Sequence, residues 1–133
     1  MNKNVGTAVF CGEQILLAKR IEFYKGDLVP FGGYWSIFCG AVEKNESSLD
    51  AAKRELFEET KITPSKPLTF LDKRIDSDSE FSFYYVEIDK VIEPELCFEH
   101  TESAWFNVKD LENFPYKIDN YIKDLIFKSH SLI

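Results

Sequence analysis

Residues 40–62 read GAVEKNESSLDAAKRELFEETKI, and their spacing decides how the whole chain is read. Gly40 is followed by Glu46, then Arg54-Glu55, the apolar Leu56 and the pair Glu58-Glu59. Glu55, Glu58 and Glu59 fall at i, i+3 and i+4, which on a helix puts three carboxylates on one face. Glu55 and Glu59 are then like charges one turn apart, an arrangement destabilising by roughly 0.2–0.5 kcal/mol. No lysine lies within that patch to offset the repulsion. A divalent cation would.

The flanking residues agree with a helix. Leu49, Ala52 and Leu56 form a narrow apolar stripe at about 100° per residue, with the acidic face beside it, where a cleft can form. Ser47 with Asp50 three residues later predicts a capping box, Asp50 and Arg54 are spaced for an i, i+4 ion pair, and Pro64 prevents continuation.

The stretch resembles the Nudix box: glycine, five residues, glutamate, seven residues, Arg-Glu, an aliphatic, any residue, Glu-Glu, any residue, glycine, an aliphatic. Gly40, Glu46, Arg54, Glu55, Leu56, Glu58, Glu59 and Ile62 match at the required spacing, and Lys61 stands where the family has glycine. Six polar or glycine identities, each at about one in fifteen, coincide by chance about once in 10⁷ placements. Weaker similarities lie outside the box, in ILLAKR at 15–20, the apolar-Trp approach to Gly40 and the Trp105-Phe106 strand end, so the resemblance extends over the chain.

Composition sets outer bounds. The 133 residues fit one domain, 1–133, and 44% hydrophobic with 15% aromatic residues excludes a disordered chain. A net charge of −7 argues against general nucleic-acid binding, which needs a basic stripe, but is compatible with a nucleotide held through a metal. Cys11, Cys39 and Cys97 are odd in number and lack a CxxC, which reads as reduced thiols of an intracellular protein. Cys39 adjoins Gly40 and is a candidate thiol nucleophile, or simply a small residue at a strand end. No apolar run reaches the ~18 residues of a membrane span and no signal peptide is evident, so a cytoplasmic protein is expected.

Along the chain, Val5–Cys11 and Glu13–Lys19 predict a hairpin about Gly12. Residues 21–34 read as a loop rich in glycine and aromatics, and Trp35–Cys39 as a short strand feeding Gly40. Strands follow at Leu68–Ile75, Phe81–Ile88 and Thr101–Val108, then a short helix start at Lys109–Glu112. The spacing of Ile118, Tyr121-Ile122 and Leu125-Ile126 predicts a C-terminal helix over Tyr116–Lys128. This is an α/β pattern; the resemblance implies a Nudix-type α/β/α sandwich with a mixed β-sheet.

The resemblance further implies a Mg2+-dependent hydrolase, with Mn2+ able to substitute, acting on a nucleoside diphosphate linked to another moiety. Glu55, Glu58, Glu59 and the Gly40 carbonyl are the implied metal ligands, and hard oxygen donors suit magnesium. Arg54 is expected either to orient Glu46 or Glu58 or to pair with Asp50. Counting back from Trp105, Glu99 falls where MutT-type members place a loop glutamate acting as base or extra ligand, ahead of Glu102; Glu58 is the other catalytic candidate. His100, beside it, is a group able to titrate near neutrality. Lys19 and Arg20 are candidates for phosphate contacts. Phe23, Tyr24, Phe31, Tyr34 and Trp35 include candidate base-stacking residues, Tyr24 foremost, or else packing and lid residues. Lys61 is expected to alter the turn ending the helix, and Phe38-Cys39, in place of the usual Pro-Gly, to reshape the loop bearing Gly40.

Substrate markers of some subfamilies would fall within Ser77–Glu80, which lacks them, so nucleoside triphosphates are favoured over nucleotide sugars and RNA 5′ ends. The expected partner is a small nucleotide, with no membrane, for a monomer or homodimer. The contrasting expectation is a Nudix-fold domain that binds or senses a nucleotide without cleaving it.

Overall fold

The computed structural model describes all 133 residues, Met1–Ile133. The elements run β1 (Asn2–Cys11), β2 (Gln14–Arg20), β3 (Phe23–Tyr24), β4 (Asp27–Leu28), β5 (Trp35–Ser36) and β6 (Phe38–Ala41). Then come α1 (Ser48–Thr60), β7 (Thr69–Ile75), β8 (Ser79–Glu87), β9 (His100–Asn107), a 3₁₀ segment (Val108–Asn113) and α2 (Asn120–His130). No helix is long and apolar enough to cross a membrane.

Seven strands form one mixed sheet, with β1 at its centre, parallel to β8 and antiparallel to β2 and β6. Strand β2 carries β9 on its other side, and β7 closes the sheet beyond β8. The run Ile15-Leu16-Leu17-Ala18 is fully buried, as expected of a strand covered on both faces. Ile15 and Leu17 face a core with Phe10, Phe83, Leu111 and α2's Leu125 and Ile126. Leu16 and Ala18 face the opposite core, with Phe38, Val86 and α1's Leu56. Helices therefore cover both faces, giving the α/β/α sandwich.

The sheet divides near its middle. β1 and β2 pair only where Val9–Cys11 meets Gln14–Leu16. Past that point β6 takes the edge of β1 at Asn4–Thr7, and β5 takes the edge of β2 at Ala18–Lys19. The segment Trp35–Ala41 thus passes from one strand to the other, with Ile37 at the break. This division opens a notch through which the two faces of the sheet communicate.

Several boundaries differ from expectation, β1 starting at Asn2 and β8 at Ser79 among them. Residues 21–34 hold the small hairpin β3–β4, because Lys25 and Gly26 both take positive φ, the geometry of a two-residue hairpin turn. The C-terminal helix starts at Asn120, four residues later than the periodicity suggests. Asp119 caps it by accepting from the Ile122 N–H at 3.1 Å, and the preceding chain is extended, with the Trp35 N–H donating to the Lys117 carbonyl at 2.8 Å. The strand before the acidic helix runs through Gly40 to Ala41.

Candidate active site

Helix α1 begins as its cap predicts, with the Ser47 side chain accepting from the Asp50 N–H. Its buried face is Ala51, Ala52, Leu56, Glu59 and Thr60, rotated from the expected stripe: Leu49 is exposed. The consequence is that Glu59 stands one turn beyond Leu56 on the buried side. Its side chain is 1% exposed, against 54% for Glu58. Three carboxylates that look alike by spacing thus differ sharply in environment.

Lys61 itself takes the left-handed conformation (φ 63°), and its N–H donates to the Phe57 carbonyl at 2.8 Å. The turn is therefore the one a glycine would make, and the altered turn expected from this substitution does not occur. The Lys61 ammonium lies 5.1 Å from the Phe57 ring centroid, a favourable contact that offsets part of the backbone cost.

Arg54 does not pair with Asp50. Its Nε and Nη2 donate to the two oxygens of Glu46 at 2.8 and 3.0 Å, a bidentate fork. Nη1 donates to Glu55 at 2.9 Å and to Glu58 at 3.2 Å, and Nη2 also reaches the Ala41 carbonyl at 2.9 Å. The fork prevails because four carboxylates, Glu43 among them at 3.5 Å, and a carbonyl converge on one planar guanidinium. It holds the Glu46 carboxyl well below its usual range, at about 2.

The absence of a side chain at Gly40 leaves room for Glu55. A Cβ there would collide with the Glu55 carboxylate, which lies directly against the Gly40 backbone. Phe38, two residues earlier, is buried in the α1-side core and anchors the strand.

Glu59 is the unusual group. Neither of its oxygens has a hydrogen-bond donor. Burial, the neighbouring Glu55 carboxylate and then Glu99 push its carboxyl up to about 10. Burial likewise raises Glu55, opposed by Arg54. Beside Glu59, the His100 Nε2 lies 3.8 Å from Oε1. Burial, reinforced by Arg20, lowers His100 to about 4, so it stays neutral across the physiological range, contrary to expectation.

Of these groups Gly40, Glu55 and His100 line a cleft of about 1010 Å³ that extends through the notch to the α2 side, whereas Glu46, Arg54, Glu58 and Glu59 stay outside its lining. Arg20, Gly40, Glu55, Glu99 and His100 line one end; Phe81 and Tyr121 line the other. Arg20 donates to the Pro30 carbonyl at 3.0 Å and lies 3.9 Å from Glu99. The Ile21 N–H ties the Glu99 carbonyl at 2.8 Å. Glu102 lies on β9 opposite Lys19, exposed.

Several sequence candidates lie elsewhere. Lys19 is outside the cleft lining, because alternation along β2 sends it away from Arg20's side. Tyr24 is on the β3–β4 hairpin, packed on Phe98 at 5.0 Å and outside the lining. Of the aromatics, Phe31, Tyr34 and Trp35 do line the cleft. Cys39 also lines it, but burial and the Glu59 charge push its thiol up to about 12, which makes it a poor nucleophile. Asn4, Arg74, Phe81 and Tyr121 join the lining from β1, β7, β8 and α2; no local motif marks them.

As the side chains stand, no three His, Cys, Asp or Glu residues converge as a metal site, since Arg54 engages Glu55 and Glu58. The Glu55–Glu59 pair nonetheless fits a divalent cation. Two buried oxygens without donors, beside a second carboxylate, are the hard ligands such an ion takes.

The family model described as NUDIX domain matches residues 2–126. No match was found among curated proteins. Among solved structures, the fold resembles a MutT from a study of Aliivibrio salmonicida and Vibrio cholerae, with TM-score 0.77 and 22% identity over 99% of this chain and 98% of that one. The NUDIX domain of Shewanella oneidensis NrtR, complexed with ADP ribose, gives 0.76 and 19% over 98% and 86%. A C. elegans Ap4A hydrolase gives 0.72 and 19% over 99% and 97%. With the box residues gathered on α1 and its approach strand, and the family model spanning nearly the whole sheet, the chain belongs to the NUDIX domain family.

Proposed function

We propose that this protein is a divalent-cation-dependent Nudix hydrolase that cleaves the pyrophosphate linkage of a nucleoside diphosphate joined to another moiety, with nucleoside triphosphates favoured. The observation that carries this reading is the buried Glu59 carboxyl, reached by no N–H or hydroxyl donor, beside Glu55 of the cleft lining. A surface helix with no ligand to hold gains nothing from burying an acid there.

In this reading Glu55, Glu59 and the Gly40 carbonyl hold Mg2+ or Mn2+, joined by Glu58 on release from Arg54. The cation supplies neutralisation of the pyrophosphate and an acidified water. Arg20 contacts phosphate oxygens, Glu99 takes the proton of the attacking water, and Arg54 keeps the carboxylates in place. The nucleoside extends along the cleft past Phe31, Tyr34 and Trp35. The fold shared with the Ap4A hydrolase and MutT structures is consistent with it.

A panel of nucleoside triphosphates, nucleotide sugars, dinucleoside polyphosphates and triphosphorylated RNA, assayed for phosphate or nucleotide release with and without Mg2+, tests the proposal. Cation-dependent release from one class is expected. Nucleotide binding without release from any class would instead support a sensor, the reading favoured by Arg54's hold on Glu58.

A further inference from the structure

His100 is not a box residue, yet it stands closer to Glu59 than any cationic group. It opens β9 at the bulge opposite Arg20, its side chain is 4% exposed, and the Phe38 ring packs edge-on at 5.7 Å. A neutral imidazole carries one N–H donor and one acceptor lone pair. Nδ1 has no partner, whereas Nε2 faces Glu59 Oε1 at 3.8 Å. A buried N–H without an acceptor is the costlier orphan, so opposite an ionised Glu59, the form a bound cation favours, the proton belongs on Nε2 and the lone pair on Nδ1.

We propose that His100 is a positioning residue for a cation-bound Glu59: its Nε2–H donates to one carboxylate oxygen and turns the other toward the metal. The inference rests on the metal-dependent reading above. The present separation exceeds a hydrogen bond, so the proposal requires the Glu59 carboxylate to turn toward Nε2 when the cation is bound. A neutral donor suits this place. It orients the carboxylate without cancelling the charge that attracts the ion, which a lysine or arginine would do.

The test is Mn2+ affinity without substrate, by calorimetry or by electron paramagnetic resonance of free ion. His100→Phe keeps a ring against Phe38 and removes the donor; it should weaken Mn2+ binding by about tenfold or more. His100→Gln restores an N–H and should stay within about threefold of wild type. His100→Phe binding as tightly as wild type overturns the proposal alone, and a wild type that binds no divalent cation overturns it together with the proposed function.

Should His100→Phe not fold, nitrogen-15 spectra of the wild-type imidazole, assigned against His130→Gln, give the answer directly. An Nε2–H tautomer whose proton shifts on saturation with Mg2+ is expected. An Nδ1–H tautomer, or loss of the Nε2 proton on metal binding, overturns the inference, the latter in favour of direct ligation.

Discussion

The carboxylate of Glu55 occupies the space that a side chain on Gly40 would need. Glu55 of helix α1 thereby meets the backbone of strand β6 and is presented at the cleft. Gly40→Ala is expected to displace Glu55 and lower turnover by at least about 10²-fold, while circular dichroism stays native. A steady-state assay of Gly40→Ala at near wild-type rate would show that Glu55 need not approach the strand.

Glu58→Gln and Glu59→Gln should each lower turnover by at least about 10²-fold with the protein folded. They should differ in stability. Glu59→Gln removes the cost of protonating a buried carboxyl on folding and is expected to raise the melting temperature of the cation-free protein at neutral pH, whereas Glu58→Gln, on the exposed side, should leave it nearly unchanged. Thermal melts in chelator check both.

The pH dependence follows from two opposed groups. The Glu59 carboxyl is raised to about 10, so its contribution to stability is full below the unfolded carboxyl range and is lost as pH rises toward 10. His100 is lowered to about 4, so its contribution is present above about 6.5 and lost as pH falls through 4. Between pH 6.5 and 8.5 Glu59 dominates, and cation-free stability should fall as pH rises. Saturating Mg2+ should flatten that slope, because binding stabilises the ionised form. Denaturant melts across this window, with the slope absent in Glu59→Gln, provide the measurement.

Arg54 joins Glu46, Glu55, Glu58 and the Ala41 carbonyl through one guanidinium. Lysine cannot reproduce the fork. Arg54→Lys should lower turnover by about tenfold or more and weaken Mn2+ binding, with a lower melting temperature. Unchanged metal affinity in this variant would reduce Arg54 to a structural clamp.

Glu99 and Glu102 separate cleanly. Glu99 lies at the cleft beside Arg20, and Glu102 points outward from β9. Glu99→Gln is expected to depress kcat strongly with little change in KM and to remove an acidic limb from the pH–rate profile. Glu102→Gln should do little. The reverse pattern in these kinetics would move the base three residues along.

The amino-acid sequence by itself determined the acidic helix, its Ser47 cap, the glycine before it and the family, because all of these are local: spacing along one helix and one strand end carries them. It also carried the α/β order of elements, since burial on both sheet faces leaves continuous apolar runs such as Ile15–Ala18. Only the tertiary structure decided which glutamate is buried. The helix packs on Ala51, Ala52 and Leu56 rather than on Leu49, a rotation set by the opposing sheet surface. The same packing gave Arg54 other oxygen partners in place of Asp50, turned Arg20 into the cleft and Lys19 away, and set Tyr24 against Phe98. The far lining, Asn4, Arg74, Phe81 and Tyr121, comes from four elements that meet only when the sheet divides and α2 docks. Contacts between residues distant along the chain leave no spacing to read, so their chemistry becomes visible only once the fold has formed.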